Sequence, residues 1–172
     1  MKIKRRNRAL GSGSSPFQVS VDGVDFSIQE PASLSPRWHS RKVNGAGLRH
    51  EIGVSVARGG IVWTHGPFPC GLHSDLTIFR MGMKSALGEE ERVVVDDGYR
   101  NEQCFLNPDG VLSATRRQRI RARHESVNNR LKQFSALGST FRHNISLHSI
   151  CFHAAANLTQ LTLRNGNPLF EV

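Results

Sequence analysis

The sequence predicts an α/β domain built on a mixed sheet, and three patterns along the chain predict it. Apolar and polar residues alternate over residues 17–28, which is the period of a strand with one buried face. Two more strand patterns follow at residues 50–57 and 61–64. Helical spacing begins near residue 74, and one further strand pattern, at residues 91–96, precedes the later helices. Three strands, a helix, a strand and more helices predict a sheet covered by helices.

The first alternating stretch predicts two strand pieces. The alternation runs to residue 21, Gly23 interrupts it, and residues 24–28 resume it before Glu30 and Pro31 end it. Asp22 is therefore expected at the end of the first piece, directly before a glycine.

The next two strands are expected to form a hairpin. Gly59 and Gly60 lie between them, and a Gly-Gly pair between strand patterns is typical of a two-residue turn. The glycines and prolines of residues 66–71 then predict a loop.

The second half of the chain is predicted to be mainly helical. Ser74 is a candidate N-cap, and Gly88 a candidate stop, for a helix with apolar residues at helical spacing. Three consecutive valines in residues 91–96 favour a buried strand, because β-branched residues suit a covered sheet. A loop is expected over residues 100–112.

Two more helices complete the prediction. A long helix is expected from Ser113 or Thr115 to about Phe134, and a last one over residues 146–164. The predicted organisation is a basic, Gly/Ser-rich disordered tail at residues 1–16 and one domain at residues 17–172.

Composition narrows the class of protein. The 172 residues carry 23 lysines and arginines against 14 acids, a formal net charge of +9, with five of the cations in the first eight residues. No apolar run reaches the roughly 18 residues of a membrane span, and the basic start leads into Gly and Ser instead of an apolar signal segment. Three cysteines without paired spacing argue against a disulfide scaffold. Composition thus excludes a membrane protein, a secreted miniprotein and a coiled coil.

A soluble intracellular domain that binds or tolerates polyanions fits this composition best. The basic tail has two open interpretations: a solvated terminus, or a nuclear-localisation or phosphate-binding segment. We expect the protein in the nucleus.

Four acidic residues stand out by their positions next to predicted elements: Asp22, Asp75, Asp96 and Glu125. Sites in α/β sheets gather beyond strand ends, and carboxylates held close together need a cation to neutralise them. Mg²⁺ suits such a set because it prefers carboxylate, water and phosphate oxygens. Each acid also has a structural interpretation, as a turn former beside glycine, a first-turn helix acid or a member of i,i+4 ion pairs.

The helix around Glu125 is strongly basic. Glu125 is its only acid, and seven cations lie within 17 residues of sequence: Arg116, Arg117, Arg119, Arg121, Arg123, Arg130 and Lys132. A solvated basic face and a surface that contacts DNA phosphates both explain this pattern. Because only 7% of the residues are aromatic, duplex-backbone binding is favoured over stacking on single strands.

A histidine-rich segment raises zinc as an alternative metal. His143, His148, Cys151 and His153 lie close in sequence, but their spacing matches no standard structural zinc site. Core or surface histidines are the expected interpretation.

Four segments, read in order, carry a family resemblance: residues 21–26 (VDGVDF), 73–79 (HSDLTIF), 95–99 (VDDGY) and 124–132 (HESVNNRLK). The Asp-x-Gly-Tyr pattern and the later helical Glu-x5-Leu-Lys pattern are the most specific. Together the segments resemble the DDE endonuclease domain of Harbinger-type transposases and of transposase-derived nucleases. The resemblance covers residues 17–172.

The resemblance implies a ribonuclease-H-like fold and a Mg²⁺ or Mn²⁺ site that cuts and joins DNA by a two-metal mechanism. By motif position, Asp22 matches the first acid and Glu125 the helical glutamate. Asp75 and Asp96 compete for the second position, so all four are candidate metal ligands, and Asp22, Asp96 and Glu125 are the candidate catalytic set. The basic helix would hold double-stranded DNA.

Family members carry a helical DNA-binding region before the catalytic domain, whereas here sixteen residues precede the first strand. We therefore expect either a separate DNA-binding partner protein or an omitted exon to supply recognition of the DNA ends. The leading hypothesis is a metal-dependent DNA endonuclease or transposase catalytic domain. The alternatives are a catalytically inactive, transposase-derived domain that binds DNA or protein, and a metal-dependent hydrolase of RNA.

Overall fold

The computed structural model describes residues 17–32, 35–89, 91–96, 99, 102–106 and 113–172. The strands are β1 Phe17–Ser27, β2 His39–Ser40, β3 Gly45–Ser55, β4 Ile61–Pro69, β5 Arg92–Val94 and β6 Phe105–Leu106. The helices are α1 Asp75–Met81, α2 Met83–Ala86, α3 Ala114–Lys132, α4 Ser135–Gly138 and α5 His148–Arg164, with 3₁₀ turns at Pro36–Trp38 and Ile145–Leu147. The predicted α/β class is confirmed.

The strands form one mixed sheet. Its longer strands lie in the order β4-β3-β1, followed by the short β5 and β6, and the two-residue β2 also pairs with β3. The β1–β3 and β3–β4 pairs are antiparallel, whereas the β1–β5 and β5–β6 pairs are parallel. The first strand of the chain is therefore central in the sheet.

Alternation along β1 divides the core between two faces of the sheet. Val24 and Phe26 pack with α3, α4 and α5, and we name this side the α3 face. Val19 and Val21 pack with Phe79 of α1 and with Met83 of α2, and we name the opposite side the α1 face. Even-numbered residues of β1 thus point to the α3 face, and odd-numbered residues point to the α1 face.

The predicted break of the first strand at Gly23 is wrong. β1 runs continuously through Asp22 and Gly23, which pair with Ile52 and Glu51 of β3. Asp22 therefore lies in the middle of a strand and not at its end. Gly23 is needed for another reason, since a Cβ at this position would overlap the Asp75 carboxylate.

The hairpin between β3 and β4 is confirmed, but its predicted two-residue turn is wrong. Five residues, 56–60, connect the strands, and Gly59 has a left-handed φ of 70°. The loop predicted at residues 66–71 is largely strand, because β4 continues to Pro69 with a cis Gly66–Pro67 bond. Prolines fit here because β4 pairs with β3 alone among the described strands, which leaves one edge without ladder partners.

The Ser74 N-cap is confirmed, since its Oγ accepts a hydrogen bond from the Thr77 N–H at 3.2 Å. The helix that was expected to continue to Gly88 breaks at Gly82 into α1 and α2. The His65 ring fills the place where a Cβ at residue 82 would lie, so glycine is required at the break.

Later elements differ from prediction mainly at their ends. β5 is shorter than the predicted residues 91–96, and β6 lies within the predicted loop of residues 100–112. Ser113 caps α3, with its Oγ accepting from the Arg116 N–H at 3.2 Å. α5 begins at His148, two residues later than expected. The predicted tail at residues 1–16, Asp97, Gly98 and residues 107–112 lie outside the described residues.

No helix in the described part of the chain is long and apolar enough to cross a membrane.

Candidate active site

Strand register brings Asp22 and Asp96 together. In the parallel β1–β5 pair, Ser20 lies opposite Val94. Asp22 lies two residues further along β1, and Asp96 lies two residues further along the chain from Val94, just beyond the end of β5. Both positions are even-numbered in the alternation and point to the α3 face.

Glu125 reaches the same place from α3. This helix packs onto the sheet through Ile120, Val127 and Leu131, which are buried. The Nδ1 atom of His124 lies 3.1 Å from Ser20 Oγ, which anchors this part of the helix directly over β1. Glu125 follows His124 and is exposed beside the sheet.

The three acids come from distant parts of the sequence and line one cavity of about 350 Å³. Asp22 comes from β1, Asp96 from the residues after β5, and Glu125 from α3. Ser20, Gln118, Arg121 and His124 line the same cavity. The structure thus brings together three of the four acids that the sequence singled out.

Asp75 lies on the other side of the sheet. It opens α1, packs against Gly23 on the α1 face, and its Oδ1 is 3.3 Å from Nη1 of Arg49. It does not line the cavity of the other three acids. Of the two acids that compete for the second position, only Asp96 therefore shares a cavity with Asp22 and Glu125.

The pKa of Asp22 is raised to about 6, mainly by burial and also by the negative charges of Asp75 and Asp96, against the lowering effects of Lys42 and the Gly23 N–H. The Gly23 N–H donates to Asp22 Oδ1 at 2.7 Å, and Lys42 Nζ lies 3.9 Å from the same oxygen. The Asp22 anion is thus poorly compensated by the protein, and a bound cation would stabilise it.

Asp96 is paired with Arg121 of α3, one helical turn before Glu125. The Asp96 and Arg121 side chains are 59% and 48% exposed, so solvent screens this pair. Arg121 thus supplies a positive charge to the same group of acids.

The donor chemistry of this cavity fits a hard divalent ion. Asp22, Asp96 and Glu125 offer only carboxylate oxygens, which Mg²⁺ and Mn²⁺ prefer. In the described part of the chain, no three acidic, histidine or cysteine side chains are yet close enough to hold one ion between them. Side-chain movement at Asp96 and Glu125, both exposed, would be needed to complete the set.

Two neighbours of the acids carried no recognisable sequence signal. Lys42 comes from the turn between β2 and β3, and its Nζ donates to the Gly23 carbonyl at 2.7 Å. His124 is buried, and burial together with the charge of Lys42 lowers its pKa to about 4. Adjacency to Glu125 was the only hint at His124, and nothing in the sequence connected Lys42 with Asp22.

The basic helix is divided between two roles. Arg123 was a candidate DNA ligand, and this assignment is corrected because the side chain is buried at 3% exposure. Its guanidinium donates to the Val56 carbonyl at 2.6 Å and to the Phe170 carbonyl. Arg119 and Arg130 likewise donate to carbonyls of the C-terminal segment, those of Glu171 and Asn167.

Another row of α3 carries the cations that flank Glu125. Arg117, Arg121 and Lys132 lie on the same side of the helix as Glu125, because their positions differ from it by eight, four and seven residues. Arg116 is exposed in the first turn. These side chains remain the candidate DNA contacts.

The histidines of the zinc alternative differ in environment. His148 is a core residue whose ring stacks on that of His50 at 5.2 Å, whereas His143 is exposed. His148 Nδ1 is 3.2 Å from His50 Nε2. The interpretation as core and surface histidines is therefore confirmed for these two residues.

Comparisons with known proteins add no assignment to this geometry. No family model, no curated protein and no solved structure matches the chain.

Proposed function

We propose that this chain is the catalytic domain of a divalent-metal-dependent DNA endonuclease or transposase with a ribonuclease-H-like fold. One observation carries the proposal: acids at positions 22, 96 and 125, supplied by three separate elements, line a single cavity. Burial makes the Asp22 anion costly without a cation, and phosphodiester cleavage by metal ions is the chemistry that such sets of carboxylates serve.

Further features support the proposal. β1 is central and pairs with an antiparallel strand on one side and a parallel strand on the other, with helices on both faces. This architecture is compatible with the ribonuclease-H-like fold that the resemblance implies. The ordered motifs at residues 21–26, 95–99 and 124–132 contain the same three acids. A nuclear location and double-stranded DNA as substrate belong to the same proposal.

Each side chain has a defined task in this mechanism. Asp22, Asp96 and Glu125 would hold the metal, which when bound activates the attacking hydroxyl and stabilises the leaving oxygen of the phosphodiester. Arg117, Arg121 and Lys132 would bind backbone phosphates beside the acids, as cations on an exposed helix row do.

Nicking of supercoiled plasmid by the purified chain tests the proposal. Cleavage is expected with Mg²⁺ or Mn²⁺ and not with EDTA. Asp22→Asn, Asp96→Asn and Glu125→Gln should each abolish cleavage without loss of folding. Glu102→Gln is the matched control, because Glu102 is an acid paired with Arg80 and Lys84 on the α1 side of the molecule. Metal-independent cutting, or normal cutting by any of the three site variants, contradicts the proposal.

Asp75→Asn separates the two candidates for the second acid. Asp75 lies across β1 from the cavity, so a folded Asp75→Asn protein should still cut plasmid whereas Asp96→Asn should not. Cutting by Asp96→Asn together with a folded but inactive Asp75→Asn would reverse the assignment.

A second candidate function is a transposase-derived domain that binds DNA or protein without cutting. The Asp96–Arg121 ion pair favours it, because a guanidinium already neutralises one of the three acids. A folded protein that binds duplex DNA but never nicks it, with any metal, would support this candidate. Faster cleavage of an RNA–DNA hybrid than of duplex DNA would instead indicate a hydrolase of RNA.

A further inference from the structure

A second and larger cavity, of about 1060 Å³, opens between the β2–β3 turn and the residues that precede α1. Its volume reaches the upper end of the roughly 300–1,000 Å³ range of ligand sites. Asp22, Asp96 and Glu125 do not line it, so it is distinct from the cavity of the three acids.

Positive charge dominates the lining of this cavity. Arg41, Lys42 and Arg49 line it together with a single acid, Glu30. Arg49 is neutralised, because its Nε and Nη2 donate to the Asp25 carboxylate at 2.6 and 2.8 Å. Arg41 is exposed and has no acidic partner within the described residues. Arg41 and Lys42 are therefore the two cations that an anionic occupant would meet, and Lys42 also lies 3.9 Å from Asp22 Oδ1.

An aromatic ring stands beside these cations. The Trp38 indole lines the cavity and packs at its back against the buried cluster of Ile28, Leu48 and Phe141. The Arg37 guanidinium lies over the Trp38 ring, 4.9 Å from its centre, so a base that stacks on this face takes the place of Arg37. A ring held by packing next to cations is how proteins bind unpaired nucleotides, since every base has a π-face that can stack.

Lys42 connects this cavity with the three acids. It lines the large cavity, while its Nζ donates to the Gly23 carbonyl and lies 3.9 Å from Asp22 Oδ1. Lys42 therefore links the position of a phosphate at Asp22 with the cavity that Trp38 and Arg41 line.

From the charge, the indole and this connection, and resting on the proposed function, we infer that the large cavity binds an unpaired nucleotide. The nucleotide belongs to a single-stranded extension of the DNA duplex, and the duplex itself is bound at the cavity of the three acids. Its base stacks on Trp38, and its phosphates contact Arg41 and Lys42. The low aromatic content of the sequence argued against stacking, but the fold concentrates an indole and cations at this one site.

Fluorescence anisotropy tests the inference with three labelled DNAs in EDTA: a blunt duplex, and the same duplex with a short oligothymidine extension at its 3′ or its 5′ end. The full chain should bind one of the two extended duplexes at least about fivefold more tightly than the blunt duplex, because one base of the extension stacks on Trp38. Trp38→Phe and Arg41→Ala should each reduce this preference, and Arg41→Ala removes only an exposed side chain. Arg164→Ala, which removes one exposed cation from the last turn of α5, should keep it.

Tryptophan emission gives a second readout. The chain has two tryptophans, and Trp63 is bound to Glu51 on the α1 face, outside the cavity. Unlabelled oligothymidine should quench the emission of the wild-type protein, and Trp38→Phe should lose this quenching.

Several outcomes would overturn the inference. Equal affinity for blunt and extended duplexes does so, as does a preference that survives both cavity variants. Displacement of DNA by a glutamate-rich peptide as effectively as by oligothymidine of equal charge would assign the cavity to an acidic protein segment. Plasmid cleavage is scored separately: loss of cleavage with the preference intact refutes only the proposed nuclease activity, and cleavage without the preference refutes only this cavity.

Discussion

Glu51 carries the most unusual charge environment of a single residue in this domain. It is 1% exposed in β3, its Oε2 accepts from Trp63 Nε1 at 2.7 Å, and its Oε1 has no hydrogen-bond partner among the described residues. Burial raises the pKa of Glu51 to about 8, and the Asp75 charge adds to this effect. The folded protein therefore holds a proton that the unfolded chain releases at lower pH.

This proton makes stability depend on pH with a definite sign. Between the ordinary pKa of 4.5 and about 8, the folded state binds more protons than the unfolded state. The free energy of unfolding then falls as the pH rises through this window, because linkage follows the difference in bound protons. Each pKa unit corresponds to about 1.4 kcal/mol.

Glu51→Gln is expected to remove this pH-dependent loss of stability, since the amide oxygen still accepts from Trp63 and the side chain carries no charge. The variant should be more stable than wild type by several kcal/mol near pH 8 and nearly equal to it below about pH 5. Urea unfolding of both proteins across this range measures the difference. If the free energy of unfolding depends on pH in the same way in both proteins, Glu51 does not keep its proton in the folded state over this range.

At the scale of the element, α3 is both a wall of the acid cavity and a clamp on the C-terminus. Glu125 and Arg121 lie on its cavity side. Arg119, Arg123 and Arg130 donate to backbone carbonyls of the last six residues of the chain. A helix that composition marks as a DNA-binding surface therefore spends nearly half of its cations on the fold itself.

Arg123→Met tests this structural role. The substitution keeps much of the packing of the stem but leaves the Val56 and Phe170 carbonyls without their donor, so a loss of about 2–4 kcal/mol is expected. Arg116→Met is the matched control, because Arg116 is exposed in the first turn and should change stability by less than about 0.5 kcal/mol. The measurement is urea unfolding of both variants. Equal stability of Arg123→Met and Arg116→Met would refute the clamp.

At the scale of the whole molecule, positive charge is spread over several surfaces, and only part of it faces the acids. The formal net charge of +9 by itself predicts attraction to any polyanion. The position of each cation decides whether it can contact DNA that is bound at the acids. The row of Arg117, Arg121 and Lys132 lies beside Glu125. Salt dependence of DNA binding distinguishes this row from cations elsewhere.

Arg117→Gln with Lys132→Gln should weaken duplex binding and reduce the slope of log affinity against log salt by roughly 1–2, about 0.9 for each lost phosphate contact. Arg142→Gln with Arg164→Gln removes the same charge from exposed positions outside α3 and should leave the slope nearly unchanged. Titration of one labelled duplex at several salt concentrations measures both slopes. Equal effects of the two double variants would mean that the protein binds DNA only through its net charge.

Much of this architecture was readable from local sequence. The strand patterns, the Ser74 and Ser113 caps, and the type and order of the main elements depend on residues a few positions apart. The four acids were also identifiable as a group, because motif order is a linear property. Element ends were read less well, as at Gly82, where one predicted helix is divided into α1 and α2.

The tertiary structure decides which distant residues come into contact. The sequence by itself established an α/β domain with a mixed sheet and a basic helix, and it left Asp75 and Asp96 as equal candidates beside Asp22. Parallel register of β1 with β5 and the alternation of strand faces put Asp96 beside Asp22 and Asp75 behind the sheet. Packing also buried Arg123 and brought Lys42 to the edge of Asp22. The physical reason is that register and packing are interactions between residues far apart in sequence, which no local pattern contains.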